Sequence, residues 1–150
     1  LLAVAAGDRT AGDEQFESAL AQARTHHIRS LAADVLAART YASGFAGLTA
    51  AQHVLDDWQR DRDGGNEFLV LEAAGINLAE IGDIESAAVI LGNLDDDGRR
   101  LVSSAARREA ATRVIDARRG NDEWRARGQA LSRLELLEYA RQAVADALSR

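Results

Sequence analysis

Four amino-acid types are absent from this 150-residue chain: cysteine, proline, methionine and lysine. Without cysteine the chain has no disulfide and no thiolate metal site. Without lysine it has no Walker A phosphate loop, no Schiff-base lysine and no Ser-Lys dyad. Because no methionine stands at the start, we expect the sequence to be a fragment of a longer protein.

The residues that are present favour helices. Alanine is the commonest residue, and abundant alanine, leucine, arginine and glutamate all favour α-helix. No stretch alternates between apolar and polar residues in the way a half-buried strand does. The composition therefore predicts an all-α protein, and the length predicts a single domain, residues 1–150. Since no apolar stretch is long enough for a signal peptide or a membrane span, we expect a cytoplasmic protein.

The clearest local pattern is a helical hairpin over residues 66–94. Apolar residues at helical spacing predict one helix from Glu67 to Ile81 and a second that begins after Gly82-Asp83. Glycine tolerates the positive φ that ends a helix, and aspartate is a good residue for the start of the next one. Because Gly75 and Ala87 are small, we expect the two helices to approach closely.

Four glycines recur at intervals of 37, 38 and 38 residues along the chain: Gly7, Gly44, Gly82 and Gly120. Each follows a helix-like run, so the spacing predicts about four stacked helix-turn-helix units with an irregular, capping last unit. The central hairpin resembles a tetratricopeptide (TPR) repeat, since Gly75, Gly82-Asp83 and Ala87 match that signature in register. The expected fold is a TPR-like superhelix. Gly82→Val should destabilise it by on the order of 1 kcal/mol or more.

The remaining helices are predicted from local start and stop signals. Two capping boxes, Thr49–Gln52 and Ser132–Glu135, mark helix starts, while Gly44–Leu48 is expected to be a turn and Gly128 to end a short helix. The further helices are predicted over residues 10–27, 28–43, 99–119 and 122–127, with polar loops over 61–66 and 93–98. Small apolar residues at helical spacing predict the inner face of the 99–119 helix: Val102, Ala106, Ala110, Val114 and Ala117.

Charge is unevenly divided along the chain. Residues 1–98 hold 6 arginines against 17 acidic residues, a net of −11, and residues 99–150 hold 12 arginines against 7 acidic residues, a net of +5. We therefore expect the two ends of the molecule to differ in electrostatic potential.

Residues with metal-binding or catalytic chemistry are few, and each has a simpler explanation. His53 and Asp57 lie four residues apart on one predicted helix face, but no further ligand has matching spacing. The run from Asn93 to Gly98 resembles the start of an EF-hand loop, but Ser104 stands where a bidentate glutamate is required. His26-His27 and Asp56-Asp57 are expected to be solvated. We expect no catalytic residue, no metal site and no cofactor.

The best candidate for a functional surface is an arginine stripe on the 99–119 helix. Arg100, Arg107 and Arg118 lie along one side of the predicted helix, with Arg108 and Arg119 beside them. Three interpretations stay open: a solvated face, contact with acidic groups of this chain or a neighbouring domain, and contact with nucleic-acid phosphates. The acidic net charge and the lack of interleaved aromatic residues disfavour nucleic acid. We expect Arg107→Glu to weaken association with a neighbouring domain without changing the melting temperature.

Two stretches resemble the C-terminal repeat region of large LuxR-type, ATP-binding transcriptional regulators, some of which carry a cyclase domain. One is LAEIGDIESAAVILG (residues 78–92), and the other is RVIDARRGNDEWRARGQALSRLELLEYA (residues 113–140). The matching residues of the second stretch follow the same order: Gly120, Trp124, Gly128, Leu131, Ser132 and Glu135. The family's ATP-binding and DNA-binding residues belong to other domains, so none is carried onto this chain.

The resemblance implies a non-catalytic scaffold that relays the binding of a partner or signal to a DNA-binding output domain. The partners expected are proteins or neighbouring domains of the same chain, with no membrane and no direct nucleic-acid contact; homo-oligomerisation is left open. The alternatives are a helical domain that senses a small effector in its concave face and an accessory helical domain of a nucleotide cyclase or ATPase.

Overall fold

A computed structural model describes residues 9–25, 39–61, 67–94 and 105–150, and these residues form helices without any strand. The all-α prediction is confirmed for this part of the chain. Seven helices are described: α1 (Arg9–Thr25), α2 (Phe45–Asp61), α3 (Glu67–Glu80), α4 (Ile84–Leu94), α5 (Ala105–Asp116), α6 (Asn121–Ala130) and α7 (Arg133–Leu148). None of them is long and apolar enough to cross a membrane.

Several sequence predictions concern residues outside the described ranges. They are the turn at Gly7, the pair His26-His27, the helix over 28–43 up to Ala38, the centres of the two polar loops, and the start of the long helix with Arg100 and Val102.

The central hairpin forms as predicted. α3 ends at Glu80, and Gly82 in the following turn has φ +94°. The N–H of Gly82 donates to the carbonyl of Ala79 at 3.2 Å. The N–H of Asp83 donates to the carbonyl of Leu78 at 2.9 Å, which completes a Schellman motif. The Asp83 carboxylate then accepts from the N–H of Ser86 at 3.3 Å, so the same turn caps the start of α4.

Glycines inside the helices let neighbouring helices approach closely. A Cβ on Gly75 would lie 2.8 Å from the Leu91 side chain, which confirms the close approach of α3 and α4. A Cβ on Gly128 would lie 2.0 Å from the carbonyl oxygen of Val89, so α6 touches the α4 backbone there. The prediction that Gly128 ends a helix was therefore wrong. Gly128 is a buried interior residue of α6, kept small by the passage of α4.

The start of α2 also differs from the prediction. The helix begins at Phe45, and Thr49 lies inside it with its hydroxyl donating to the Phe45 carbonyl at 2.9 Å. Gly44 adopts φ +63° and ends the preceding turn, so the helix starts one turn before the presumed capping box. The box motif was misleading because threonine inside a helix can bond the carbonyl four residues earlier instead of capping.

The face of α5 that packs inward is not the predicted one. Ala106, Ala110 and Ala117 are exposed and Val114 is 44% exposed, whereas the buried residues are Arg108, Ala111 and Ile115. Alanines stand on several sides of this helix and give little contrast between faces. Burial of the larger Ile115 decides the orientation, and it carries the arginine at position 108 inward with it.

The last helix closes the core. Ser132 and Glu135 form the predicted capping box, with the Glu135 N–H directed at the serine oxygen and the Ser132 N–H donating to the Glu135 carboxylate at 2.8 Å. α7 packs on α2, α3 and α4, and its inward residues share one hydrophobic cluster with those helices. α4 packs on both α3 and α6, while α3 also contacts α2 and α5. α3 and α4 therefore lie at the centre of the described helices.

Candidate functional site

A network of polar groups, some completely buried and others partly exposed, joins the turn before α2, α3 and the start of α5. We call it the polar clasp, and it comprises Thr40, Tyr41, Gly44, Glu72, Asn77, Glu80, Arg107 and Arg108. Glu72, Asn77 and Thr40 are completely buried and Arg108 is 8% exposed. Burying a polar group without a hydrogen-bond partner lowers the stability of the fold, so the buried side chains of the clasp are expected to be hydrogen-bonded.

Arg107 is the branching point of the clasp. Its Nε donates to Glu80 Oε1 at 2.8 Å, its Nη1 to the Tyr41 carbonyl at 2.7 Å and its Nη2 to Asn77 Oδ1 at 2.8 Å. One guanidinium thus bonds both to a helix and to the turn that precedes another helix. Arginine suits this position because its planar fork holds several donors in fixed directions.

Asn77 locks the turn against α3. Its Nδ2 donates to the Thr40 carbonyl at 2.8 Å, and its Oδ1 accepts from the Gly44 N–H at 3.0 Å. Glu80 Oε2 accepts from the same N–H at 3.1 Å. Gly47 gives this contact room, since a Cβ there would lie 2.3 Å from Asn77 Nδ2 and 2.1 Å from the Ala42 carbonyl.

The deepest part of the clasp is an ion pair between α3 and α5. Arg108 Nη1 donates to Glu72 Oε1 at 2.8 Å, and the Tyr41 hydroxyl lies 3.5 Å from Glu72 Oε2 and 3.3 Å from the Leu69 carbonyl. Burial raises the pKa of Tyr41 well above its usual range, and the charge of Glu72 raises it further. Tyr41 is therefore a hydrogen-bond donor and not a base at neutral pH.

The arginine stripe is not one exposed surface. Arg107 is half-buried in the clasp, Arg108 is buried against Glu72, and Arg118 is exposed after the end of α5. Arg100 lies outside the described residues. Among the described arginines of the stripe, the interpretation that fits Arg107 and Arg108 is contact with acidic groups of this chain. Arg118 and Arg119 remain as exposed candidates.

Sequence reasoning missed the α3 side of the clasp. Glu72 and Asn77 stand inside the apolar run FLVLEAAGINLA of α3, in which every residue but Leu69 is buried. A charge within a helix that is apolar on all sides has no solvated face to point to. That context indicated a buried partner, and the two adjacent arginines of α5 were candidates for it.

The other candidate residues are not part of the polar clasp. His53 and Asp57 are both exposed, and no group of three or more potential metal ligands occurs among the described residues. Asn93 lies near the end of α4 and bonds to α6 and to the residue that follows α6. Its Nδ2 donates to the carbonyls of Gly128 at 2.7 Å and Leu131 at 3.0 Å, so it links α4 to the end of α6.

Comparison with protein-family models, with curated proteins and with solved structures finds no match for this chain. The resemblance to LuxR-type regulators therefore stays a prediction from the residues quoted above.

Proposed function

We propose that this chain is a non-catalytic, TPR-like scaffold module of a multidomain transcriptional regulator. Its helices would bind a protein partner or a neighbouring domain and pass that binding on to a DNA-binding output domain. The module role rests on the geometry of the helices, while the regulator role rests on the resemblance of residues 78–92 and 113–140.

The observation that carries the module role is the recurrence of one turn geometry. Gly44, Gly82 and Gly120 lie 38 residues apart, and all three adopt a left-handed φ, of +63°, +94° and +89°. Each is followed directly or within two residues by a new helix. A chain that repeats the same helix break at the same interval is typical of stacked helical hairpins, whose product is an extended surface for partners.

The contacts among α3, α4, α5 and α6 support the same role. α3 contacts both its hairpin partner α4 and the next first helix α5, and α4 contacts the next second helix α6. Contacts between nearest units are what a repeat stack uses. The polar clasp adds hydrogen bonds from Arg107 of α5 to the Tyr41 carbonyl in the turn before α2 and to Asn77 of α3, so these three elements are joined by one side chain.

A displayed library of helical peptides, panned against the immobilised chain, tests the module role. We expect enriched peptides with a shared amphipathic pattern, and hydrogen exchange of the complex should show protection on the helix surfaces. Arg118→Glu serves as a probe of the exposed candidate surface, with the melting temperature as the control for folding. No enrichment, combined with a clear thermal shift from a panel of nucleotides and small metabolites, would instead favour the effector-sensing alternative.

A reporter assay tests the regulator role separately. In the parent gene, a variant that abolishes peptide binding without unfolding the module should change transcription from a target promoter. Unchanged transcription with binding lost would reject the relay to DNA while leaving the module role intact.

A further inference from the structure

α7 is docked on the rest of the molecule in the way a bound helix is docked on a groove. It packs on α2, α3 and α4, which precede it by a long stretch of chain. It is joined to α6 through Leu131 and Ser132, and Leu131 has extended backbone angles of φ −76° and ψ 133°. The surface that α2, α3 and α4 present to α7 is called the α7 groove below.

The apolar side of α7 fills this groove. Its inward residues are almost fully buried, at 0 to 2% exposure: Leu136, Leu137, Ala140, Val144 and Ala147. They share one hydrophobic cluster with Leu48, Ala51 and Leu55 of α2. The mixture of leucines with small residues at helical spacing is the pattern of an amphipathic helix that lies deep in a groove.

The margins of α7 are matched to the groove by charge. Each arginine of residues 132–150 pairs with an acidic residue of a different groove element: Arg133 with Glu67 at the start of α3 (2.8 Å), Arg141 with Asp56 of α2 (3.9 Å) and Arg150 with Asp83 before α4 (3.5 Å). The acidic residues of the same segment are used within it, since Glu135 caps Ser132, Glu138 pairs with Arg141 and Asp146 accepts from Gln142.

α7 also carries its own means of staying helical. The capping box at Ser132 supplies its first turn, and Gln142 and Asp146 bond along its outer side. The ion pairs at its margins are partly exposed, so they direct the docking more than they stabilise it. α7 thus shares two features with helical peptides that bind in grooves: local interactions stabilise its helix, and one apolar face makes the main contact with the groove.

We propose that the α7 groove is a helix-binding surface that α7 occupies in cis. The partner it fits is an amphipathic helix that repeats the α7 pattern, with leucines and small residues on one face and arginines at the margins opposite Asp56, Glu67 and Asp83. Such a partner gains access by displacing α7. The inference deepens the proposed module function, because it assigns the surface and the chemistry of what binds there.

A labelled synthetic peptide of residues 132–150 is the probe. Its binding is measured by fluorescence anisotropy to the full chain, to the variant Arg141→Glu/Arg150→Glu, and to the control Arg113→Glu/Arg118→Glu, which makes the same charge change away from the groove. We expect the groove variant to bind the peptide at least tenfold more tightly than the unmodified chain, because its own α7 is repelled by Asp56 and Asp83. The control should bind like the unmodified chain. Equal affinities for all three proteins would overturn the proposal.

Hydrogen exchange of the unmodified chain keeps the proposal testable if the groove variant does not fold. Amides of α7 should then exchange at least tenfold faster than those of α3 and α4. Exchange of all three helices at one common rate would mean that α7 opens only with global unfolding, and would overturn the proposal.

The peptide-library experiment separates the α7 groove from the module role. Peptides from the displayed library that protect another surface while α7 stays protected would leave the module role standing and reject the α7 groove as its site.

Discussion

Glycine serves two different purposes at the residue scale. A Cβ on Gly82 would meet no residue beyond its two chain neighbours within 4 Å, so only its left-handed φ requires glycine. Gly128 has an ordinary helical backbone, and the neighbouring α4 backbone is what excludes a side chain. Sequence spacing identified the first kind, because turn glycines recur at a fixed interval. It could not identify the second, because the helix that passes Gly128 is 39 residues earlier in the chain at Val89.

Substituting Gly128 with alanine adds one methyl group but should lower the free energy of unfolding substantially. The added methyl would lie 2.0 Å from the Val89 carbonyl oxygen, so α4 and α6 must separate. We expect a loss of about 2 kcal/mol or more in the free energy of unfolding, although alanine is the better helix former. Urea denaturation measures it, with Gln129→Ala on the exposed side of α6 as the control. A stability equal to the control would show that the two helices are not in contact there.

The buried ion pair of Glu72 and Arg108 makes a second prediction at this scale. Removing one partner leaves a charge in an apolar interior, so Glu72→Ala or Arg108→Ala should each destabilise by about 3–5 kcal/mol. The double variant should lose less than the sum of the two single losses, because neither charge is then left alone. A double-mutant cycle in urea measures the coupling. Additive losses would mean that the two side chains do not interact.

At the scale of single elements, the inner face of a helix could be predicted only where the faces of that helix differ clearly in hydrophobicity. The α3–α4 hairpin was predicted well because large apolar residues, a left-handed glycine and a capping aspartate agree. The inner face of α5 was predicted wrongly because alanines on several sides give no contrast, and because its arginine at 108 is buried. The polar clasp depends on contacts between residues 27 to 66 positions apart, such as those of Arg107 with Glu80, Tyr41 and Asn77. No local pattern encodes such contacts.

The clasp changes the expectation for Arg107. A surface arginine could be reversed in charge without effect on folding, but Arg107 bonds to Glu80, Asn77 and the Tyr41 carbonyl. We now expect Arg107→Glu to destabilise by on the order of 3 kcal/mol and to lower the melting temperature. Arg118→Glu, which changes an exposed side chain, should stay within about 0.5 kcal/mol of the unmodified chain. Calorimetry of the two variants compares their melting temperatures. Equal melting temperatures would mean that the hydrogen bonds of Arg107 do not contribute to stability.

The capping box of α7 makes its stability dependent on pH. Hydrogen bonds from the Ser132 side chain and backbone lower the pKa of Glu135 below its ordinary value of 4.5. Because the folded-state pKa is the lower one, this contribution is present above about pH 5 and is lost as the pH falls through the folded pKa. Ser132→Ala should raise the pKa of Glu135, as followed by NMR titration of its carboxyl carbon. An unchanged titration curve would mean that the box does not form in solution.

For the whole molecule, glycines with a left-handed φ recur at positions 44, 82 and 120, and α7 closes the hydrophobic core of the described helices. The class of fold could be predicted from the sequence, because composition and spacing are properties of the chain as a whole. The return of α7 to α2 could not, since a repeat pattern predicts contacts only between neighbouring units.

The most direct test of the recurring left-handed turns is to replace the glycines at positions 44, 82 and 120 by L-alanine or by D-alanine through semisynthesis. The melting temperatures of the two sets of proteins are then compared. D-alanine favours the positive φ that these glycines adopt, whereas L-alanine disfavours it by roughly 1 kcal/mol. We expect D-alanine to preserve or raise the melting temperature at all three positions and L-alanine to lower it. A higher melting temperature with L-alanine than with D-alanine would show that the chain continues as helix through these positions, and the stacked hairpins would be excluded.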